Sequence, residues 1–315
     1  MKYVGIQTQI RRNNFRSALL LTGFPVLLFG LVYLFFFILN QISEEPQPVH
    51  VINDQVISLA PLILIGVLIW FTIAWLNHSS MINRATGAKP LERTENKRIY
   101  NLLENLCISV GMKMPKLFVI DDDSLNAYAS GISEKSFAIT LSSGIITKLD
   151  DLELEGVIAH ELTHIRNRDV RLLIVSIIFV GIFAFLSQVA LRSIQFGRFG
   201  GKDKNNKTAI VIIIFVLALI GMGISTLFQL AISRKREYMA DAGAAELTKR
   251  PEALARALRK ISGDPWIEAV TREDVAQLFI QHPLKRYKEK GSSFLSSIFA
   301  THPPINDRIK VLEQF

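Results

Sequence analysis

The sequence predicts a mainly α-helical integral membrane protein with a small β-sheet, and three observations carry that prediction. Half of the 315 residues are hydrophobic and the mean hydropathy is +0.30, which is too apolar for an ordinary soluble domain. The excess sits in four uncharged blocks, residues 17–39, 56–76, 172–191 and 208–232, each long enough as a helix to cross about 30 Å of hydrocarbon. Elsewhere the pattern changes to short strands and amphipathic helices, the composition of an α+β domain built onto the membrane helices.

The blocks come first. Pro25 and Pro61 lie inside the first two, and membrane helices tolerate such kinks. Lys2, Arg11, Arg12 and Arg16 precede the first block, whereas residues 40–55 carry Glu44, Glu45 and Asp54 and no Lys or Arg. That asymmetry puts the N-terminus in the cytoplasm and the first loop outside, so residues 77–171 return to the cytoplasmic side. The third loop disagrees: Arg192, Arg198, Lys202, Lys204 and Lys207 face outward if both later blocks cross, so that pair either crosses against the rule or stays partly within protein or interface. No small-residue cleavage pattern follows the first block, so no removable signal peptide is expected. A single cysteine, Cys107, excludes an internal disulfide framework and suits a reducing compartment. The net charge of +8 clusters beside the blocks, where anionic lipid headgroups attract it. No phosphate loop, dinucleotide fingerprint or nucleic-acid motif is present.

Between the blocks, residues 94–110 read as a helix with Ile99, Leu102, Leu103, Leu106 and Val110 on its apolar face, ended by Gly111. Residues 116–120, 126–130 and 137–141 read as short strands. Helical signal resumes near Gly144 and continues as one helix over 152–169, capped by Asp150 and Asp151. That helix is expected to run on into the third block.

It contains His160-Glu161-Leu162-Thr163-His164. Histidines four apart share a helix face, one turn from each other, close enough for both imidazoles to hold one small metal ion. Glu161, next to the first, can act on water at that metal as a general base, the arrangement of a zincin-like metalloprotease. A catalytic zinc takes three protein ligands and keeps one position open. A third histidine six residues on is ruled out, because position 170 is Val170. Further along, Glu237 and Asp241 stand four apart on a helical stretch. Glu237 could bind the metal while Asp241 orients a ligand histidine; alternatively both answer the basic run Arg234-Lys235-Arg236.

The pair His160-Glu161-x-x-His164 and Glu237-x-x-x-Asp241, with an apolar hairpin between them, resembles the HtpX-like membrane metalloproteases, relatives of the CAAX-prenyl endoproteases. Two N-terminal spans, Asn126-Ala127-Tyr128-Ala129 before a strand, and the tail Thr301-His302-Pro303-Pro304…Arg308 follow that family's order. The likeness covers most of the chain and is weakest in the first loop and over residues 263–300. It implies one zinc ion per chain on His160, His164 and Glu237, with Glu161 as base and then acid and Asp241 behind a ligand. Asn126, Ala127, Tyr128 and Ala129 would form the edge strand that a substrate backbone pairs with, and His302 and Arg308 would approach the site to stabilise an oxyanion. It also implies four parts: an N-terminal membrane hairpin (1–77), a cytoplasmic subdomain with the sheet and the motif helix (78–171), a second hairpin (172–232) and a C-terminal helical subdomain (233–315). The implied protein is an endopeptidase of a bacterial inner membrane acting on misfolded or damaged membrane proteins, with polypeptide and bilayer as partners and no nucleic acid. A structural-zinc scaffold and a prenyl-protein endoprotease remain alternatives. A transporter is disfavoured, because the four blocks hold no Asp, Glu, Lys, Arg or His to line an ion path.

Overall fold

Long apolar runs and short alternating ones give two kinds of structure in this chain. The computed structural model describes residues 6–196, 204–268, 270, 273–276, 278–281, 283 and 303–315. In chain order the first elements are α1 (Ile6–Gln41), α2 (Val49–Thr86), β1 (Lys89–Pro90), α3 (Lys97–Val110), β2 (Lys116–Ile120), β3 (Ala127–Ser130) and β4 (Ala138–Ser142). Then follow α4 (Ser143–Lys148), α5 (Asp151–Arg166), α6 (Asp169–Phe196), α7 (Lys204–Thr248), α8 (Pro251–Ile261), α9 (Glu273–Ala276) and α10 (Ile305–Leu312). Two compact units share them, one of Met1–Asn14, Asn77–Ile174 and Leu230–Phe315, the other of Phe15–Leu76 and Val175–Gln229.

The first unit holds the sheet, in the order β1-β2-β4-β3. β2 and β4 run parallel, with Lys116 opposite Ala138, and β3 returns antiparallel along β4. All of β4 is buried, as expected of an inner strand covered on both faces. The strands expected at 126–130 and 137–141 are present, each displaced by one residue at its start. α3 begins at Lys97 rather than 94, because the Asn96 side chain accepts the Ile99 N–H and so caps the helix there; Gly111, at φ 64°, closes it in a conformation glycine adopts without strain.

Two helix boundaries differ from the sequence expectation, and both have local causes. α4 does not run into the motif helix: Asp150 accepts the Glu153 N–H while the Glu153 carboxylate accepts the Asp150 N–H, a capping box that starts a new helix. α5 does not run into α6 either. Its last turn ends at Asn167, and Arg168 takes a left-handed φ of 62°, so Asp169 opens a separate helix. α8 turns Ala253, Leu254, Ala257, Leu258 and Ile261 inward, packing against α5 on one side and α10 on the other.

The second unit is built from the apolar stretches. Among the described residues four helices are long and apolar enough to cross a membrane: Ile10–Gln41, Val49–Thr86, Asp169–Gln195 and Thr208–Thr226. Phe24 of α1 stacks on Phe179 of α6 at 4.2 Å, and Val175, Ile182 and Phe183 complete a small core. Most of the remaining apolar surface points away from protein: Leu62, Leu68 and Leu76 of α2 are 67%, 66% and 73% exposed. Only a hydrocarbon solvent accommodates such an array. The protein is a multi-pass membrane protein.

Candidate metal centre

Helix periodicity sets out the first two ligands. His160 and His164 stand one turn apart on α5, and their Nε2 atoms approach to 3.2 Å. The third comes from α7, which meets α5 at Gly243, where a Cβ would collide with the Thr163 side chain. The missing side chain lets the two backbones close up and presents Glu237 and Asp241, again one turn apart, to the histidines. Glu237 Oε1 lies 3.5 Å from His164 Nε2 and Oε2 lies 3.7 Å from His160 Nε2. The three residues offer ligand atoms within 4.8 Å of one another, a group able to hold a metal ion.

Outside this trio each imidazole meets a carboxylate. His160 Nδ1 is 3.0 Å from Asp241 Oδ1, and His164 Nδ1 is 3.1 Å from Asp169 Oδ2. A carboxylate accepts, so each Nδ1 carries the hydrogen and donates it, leaving both Nε2 lone pairs aimed at the same point. Lone pairs so placed, with a carboxylate beside them, repel unless a cation lies among them. Ligands 2.0–2.1 Å from a tetrahedral zinc stand about 3.3–3.4 Å from one another; the two Nε2 atoms, 3.2 Å apart, and Glu237 Oε1, 3.5 Å from His164 Nε2, are spaced near that range.

Arg308 of α10, fully buried, completes the surroundings. Its Nε and Nη2 donate to the two Asp241 oxygens at 2.9 and 2.7 Å. Its Nη1 donates to the Ile280 carbonyl at 3.2 Å and lies 3.4 Å from Glu237 Oε2. The guanidinium fork is thus spent on Asp241, which serves His160, with its Nη1 beside the ligand carboxylate of Glu237. Burial alone would raise the Asp241 carboxyl, but Arg308 and His160 hold it below its ordinary range. Burial would likewise push the His160 imidazolium down; hydrogen bonds to Asp241 and Glu237 outweigh that and raise it to about 9. Glu161 moves upward, burial prevailing over the two nearby imidazoles.

Of the residues singled out from sequence, the structure gathers His160, Glu161, His164, Glu237, Asp241 and Arg308 in one place. His302 lies outside the described residues. Ala127, Tyr128 and Ala129 lie in β3, the last strand of the sheet, with Asn126 one residue ahead of it. Their outer side is occupied by the chain itself: the Ile280 N–H donates to the Ala127 carbonyl at 2.8 Å, and Tyr128 bridges to Phe279. The Asn126 amide donates to the Pro265 and Gln281 carbonyls, tying down the same segment. Asp169 was missed by the sequence reading.

A helix-borne pair of histidines flanking a glutamate, closed by a carboxylate from a second helix, in a chain with four membrane-crossing helices, is the constitution of a membrane-bound metalloprotease. Residues 93–315 match the model of Peptidase family M48. A protein of Bacteroides fragilis named "Protease HtpX homolog" is 61% identical across the whole of both chains. One of the same name from Lactobacillus acidophilus is 35% identical over 97% of this chain and 98% of its own. The crystal structure of S. mikatae Ste24p aligns with 98% of this chain and 66% of its own, at 21% identity and a TM-score of 0.46. The chain belongs to the M48 peptidase family, as one of its HtpX-like members. It therefore carries a metal cofactor and acts on polypeptides.

Proposed function

We propose that the protein is a zinc endopeptidase that holds its metal on His160, His164 and Glu237 and cleaves extended segments of misfolded or damaged membrane proteins. The convergence of two imidazole nitrogens and a carboxylate on one point supports this, with each ring's other nitrogen tied to its own carboxylate. When bound there, zinc supplies a Lewis acid that polarises a carbonyl and brings water towards a neutral pKa. Glu161 sits beside His160, only 2% exposed, with its carboxyl raised by burial. A raised carboxyl takes a proton from water and returns it to a leaving amine more readily near neutral pH than an ordinary glutamate. Asp241 keeps the His160 ring in register, and Arg308 acts through Asp241 as a positioning residue. Substrate backbone would pair with β3 at Ala127, Tyr128 and Ala129 in place of residues 279–280, an attachment indifferent to side-chain sequence. The Lys and Arg before the first span, against the acidic first loop, support an active site on the cytoplasmic side, and the bacterial relatives support an inner membrane as its place.

The test is Glu161→Gln in the purified full chain, assayed on casein and for bound metal. Metal content should be unchanged and cleavage should fall roughly a hundred- to ten-thousand-fold. Undiminished cleavage would remove Glu161 from its role.

A further inference from the structure

Asp241 accounts for one ligand histidine; His164 has its own support, and that support reaches into the N-terminal segment. We infer that Asp169 is the positioning residue for His164 and that Asn13, from the start of α1, holds Asp169 in place. This rests on the reading of His164 as a metal ligand.

Asp169 is only 3% exposed and Asn13 is fully buried. Oδ2 of Asp169 accepts from His164 Nδ1 at 3.1 Å, while its Oδ1 accepts from Asn13 Nδ2 at 2.7 Å. The same Asn13 amide nitrogen donates to the Asn167 carbonyl at 2.9 Å. Both neighbours are acceptors, so the amide can stand only one way round, with nitrogen towards them. Asn13 Oδ1, by contrast, is buried with no hydrogen-bond partner among the described residues. Burying an unpaired amide oxygen is unfavourable, and the two bonds made by Nδ2 are the evident compensation. Arg236 adds a bond from Nη1 to the Asp169 backbone carbonyl at 3.2 Å.

The helix break explains how Asp169 reaches the ring. In an unbroken helix a residue five places beyond His164 would project about 140° around the axis from it. The left-handed Arg168 turns the chain so that Asp169 comes beside the imidazole instead. Asn13 clasps both sides of that break, the Asn167 carbonyl before it and the Asp169 carboxylate after it. A hydrogen bond of this kind fixes the tautomer and aim of a ligand histidine, and its loss costs about 10–100-fold in metal affinity or activity.

The experiment compares wild type, His164→Ala, Asp169→Ala, Asn13→Ala and the double variant Asn13→Ala/Asp169→Ala, each as the full chain in detergent. Zinc affinity is measured against a competing chelator, and the visible spectrum of the cobalt-substituted protein reports ligand geometry. Asp169→Ala should weaken zinc by about 10–100-fold and change the cobalt spectrum, lowering kcat with KM little altered. Asn13→Ala should do the same to a smaller extent, and should add nothing when Asp169 is already alanine, the mark of two residues acting through one bond. If Asp169→Ala does not fold, Asp169→Asn replaces it: the side-chain oxygen can still accept from His164, but its amide opposes that of Asn13, and an intermediate loss is expected. Wild-type zinc affinity in Asp169→Ala or Asp169→Asn, with zinc lost in His164→Ala, would overturn the inference alone. Equal effects of Asn13→Ala in both backgrounds would overturn the link through Asn13. Zinc retained undiminished in His164→Ala would overturn the metal-site reading itself.

Discussion

Two imidazoles aiming lone pairs at one another need something positive between them. In the metal-free protein that role falls to a proton on His160, whose value is raised from 6.5 to about 9. A raised histidine stabilises the fold in its protonated form, so this contribution is complete below about pH 6.5 and is lost as pH rises through about 9. Metal must displace the proton. Zinc affinity should therefore weaken by up to about tenfold for each pH unit below about 9, measured by chelator competition across that range. The metal-free protein should meanwhile melt at lower temperature as pH approaches 9, and a pH-independent affinity would contradict the picture. At this scale His160, Glu161 and His164 are legible in sequence because their spacing is itself the chemistry. Glu237 and Asp241 are legible as a pair on one helix face, but nothing local links them to the histidines 70 residues and a membrane hairpin away. Asp169 is not legible, since a continuous helix would point it elsewhere.

Elements meet at the site through one small residue. α7 approaches α5 where Gly243 faces Thr163, and a methyl group there has no room. Gly243→Ala gains up to about 1 kcal/mol in helix propensity but should lose about 1–3 kcal/mol through overpacking, moving Glu237 away from the histidines. Thermal unfolding and bound metal should both fall, and adding Thr163→Ala should recover most of each. A loss that Thr163→Ala leaves untouched would assign the effect to something other than this contact. Sequence periodicity finds the existence of α3, α5 and α7 and misplaces the ends of α5 because those ends depend on side chains. The Asp150–Glu153 exchange separates α4 from α5. Asn13, more than 150 residues distant in the chain, grips the break between α5 and α6, and no local window contains it.

For the whole molecule the four apolar blocks are the most legible feature, since a run of uncharged residues longer than a bilayer is thick admits few other fates. Orientation is less so. The first loop argues one way and the basic stretch from Arg192 to Lys207 the other, and much of that stretch lies outside the described residues. With the N-terminus in the cytoplasm, Glu45→Cys, placed in a Cys107→Ser background, should react with a membrane-impermeant thiol reagent on intact cells. Lys97→Cys, on the exposed side of α3, should react only after the membrane is opened. The reverse pattern would invert the protein. The gathering of residues 77–174 and 230–315 into one unit is legible only through the metal that Glu237 would share with the histidines, because the apolar hairpin separates the halves by 55 residues of chain.

Arg308 follows every other described member of the site in chain order, yet it neutralises the buried Asp241 on which His160 leans. Without α10, Asp241 would keep only the imidazole of His160 as a cationic neighbour, and burying the acid would cost more than it does beside the guanidinium.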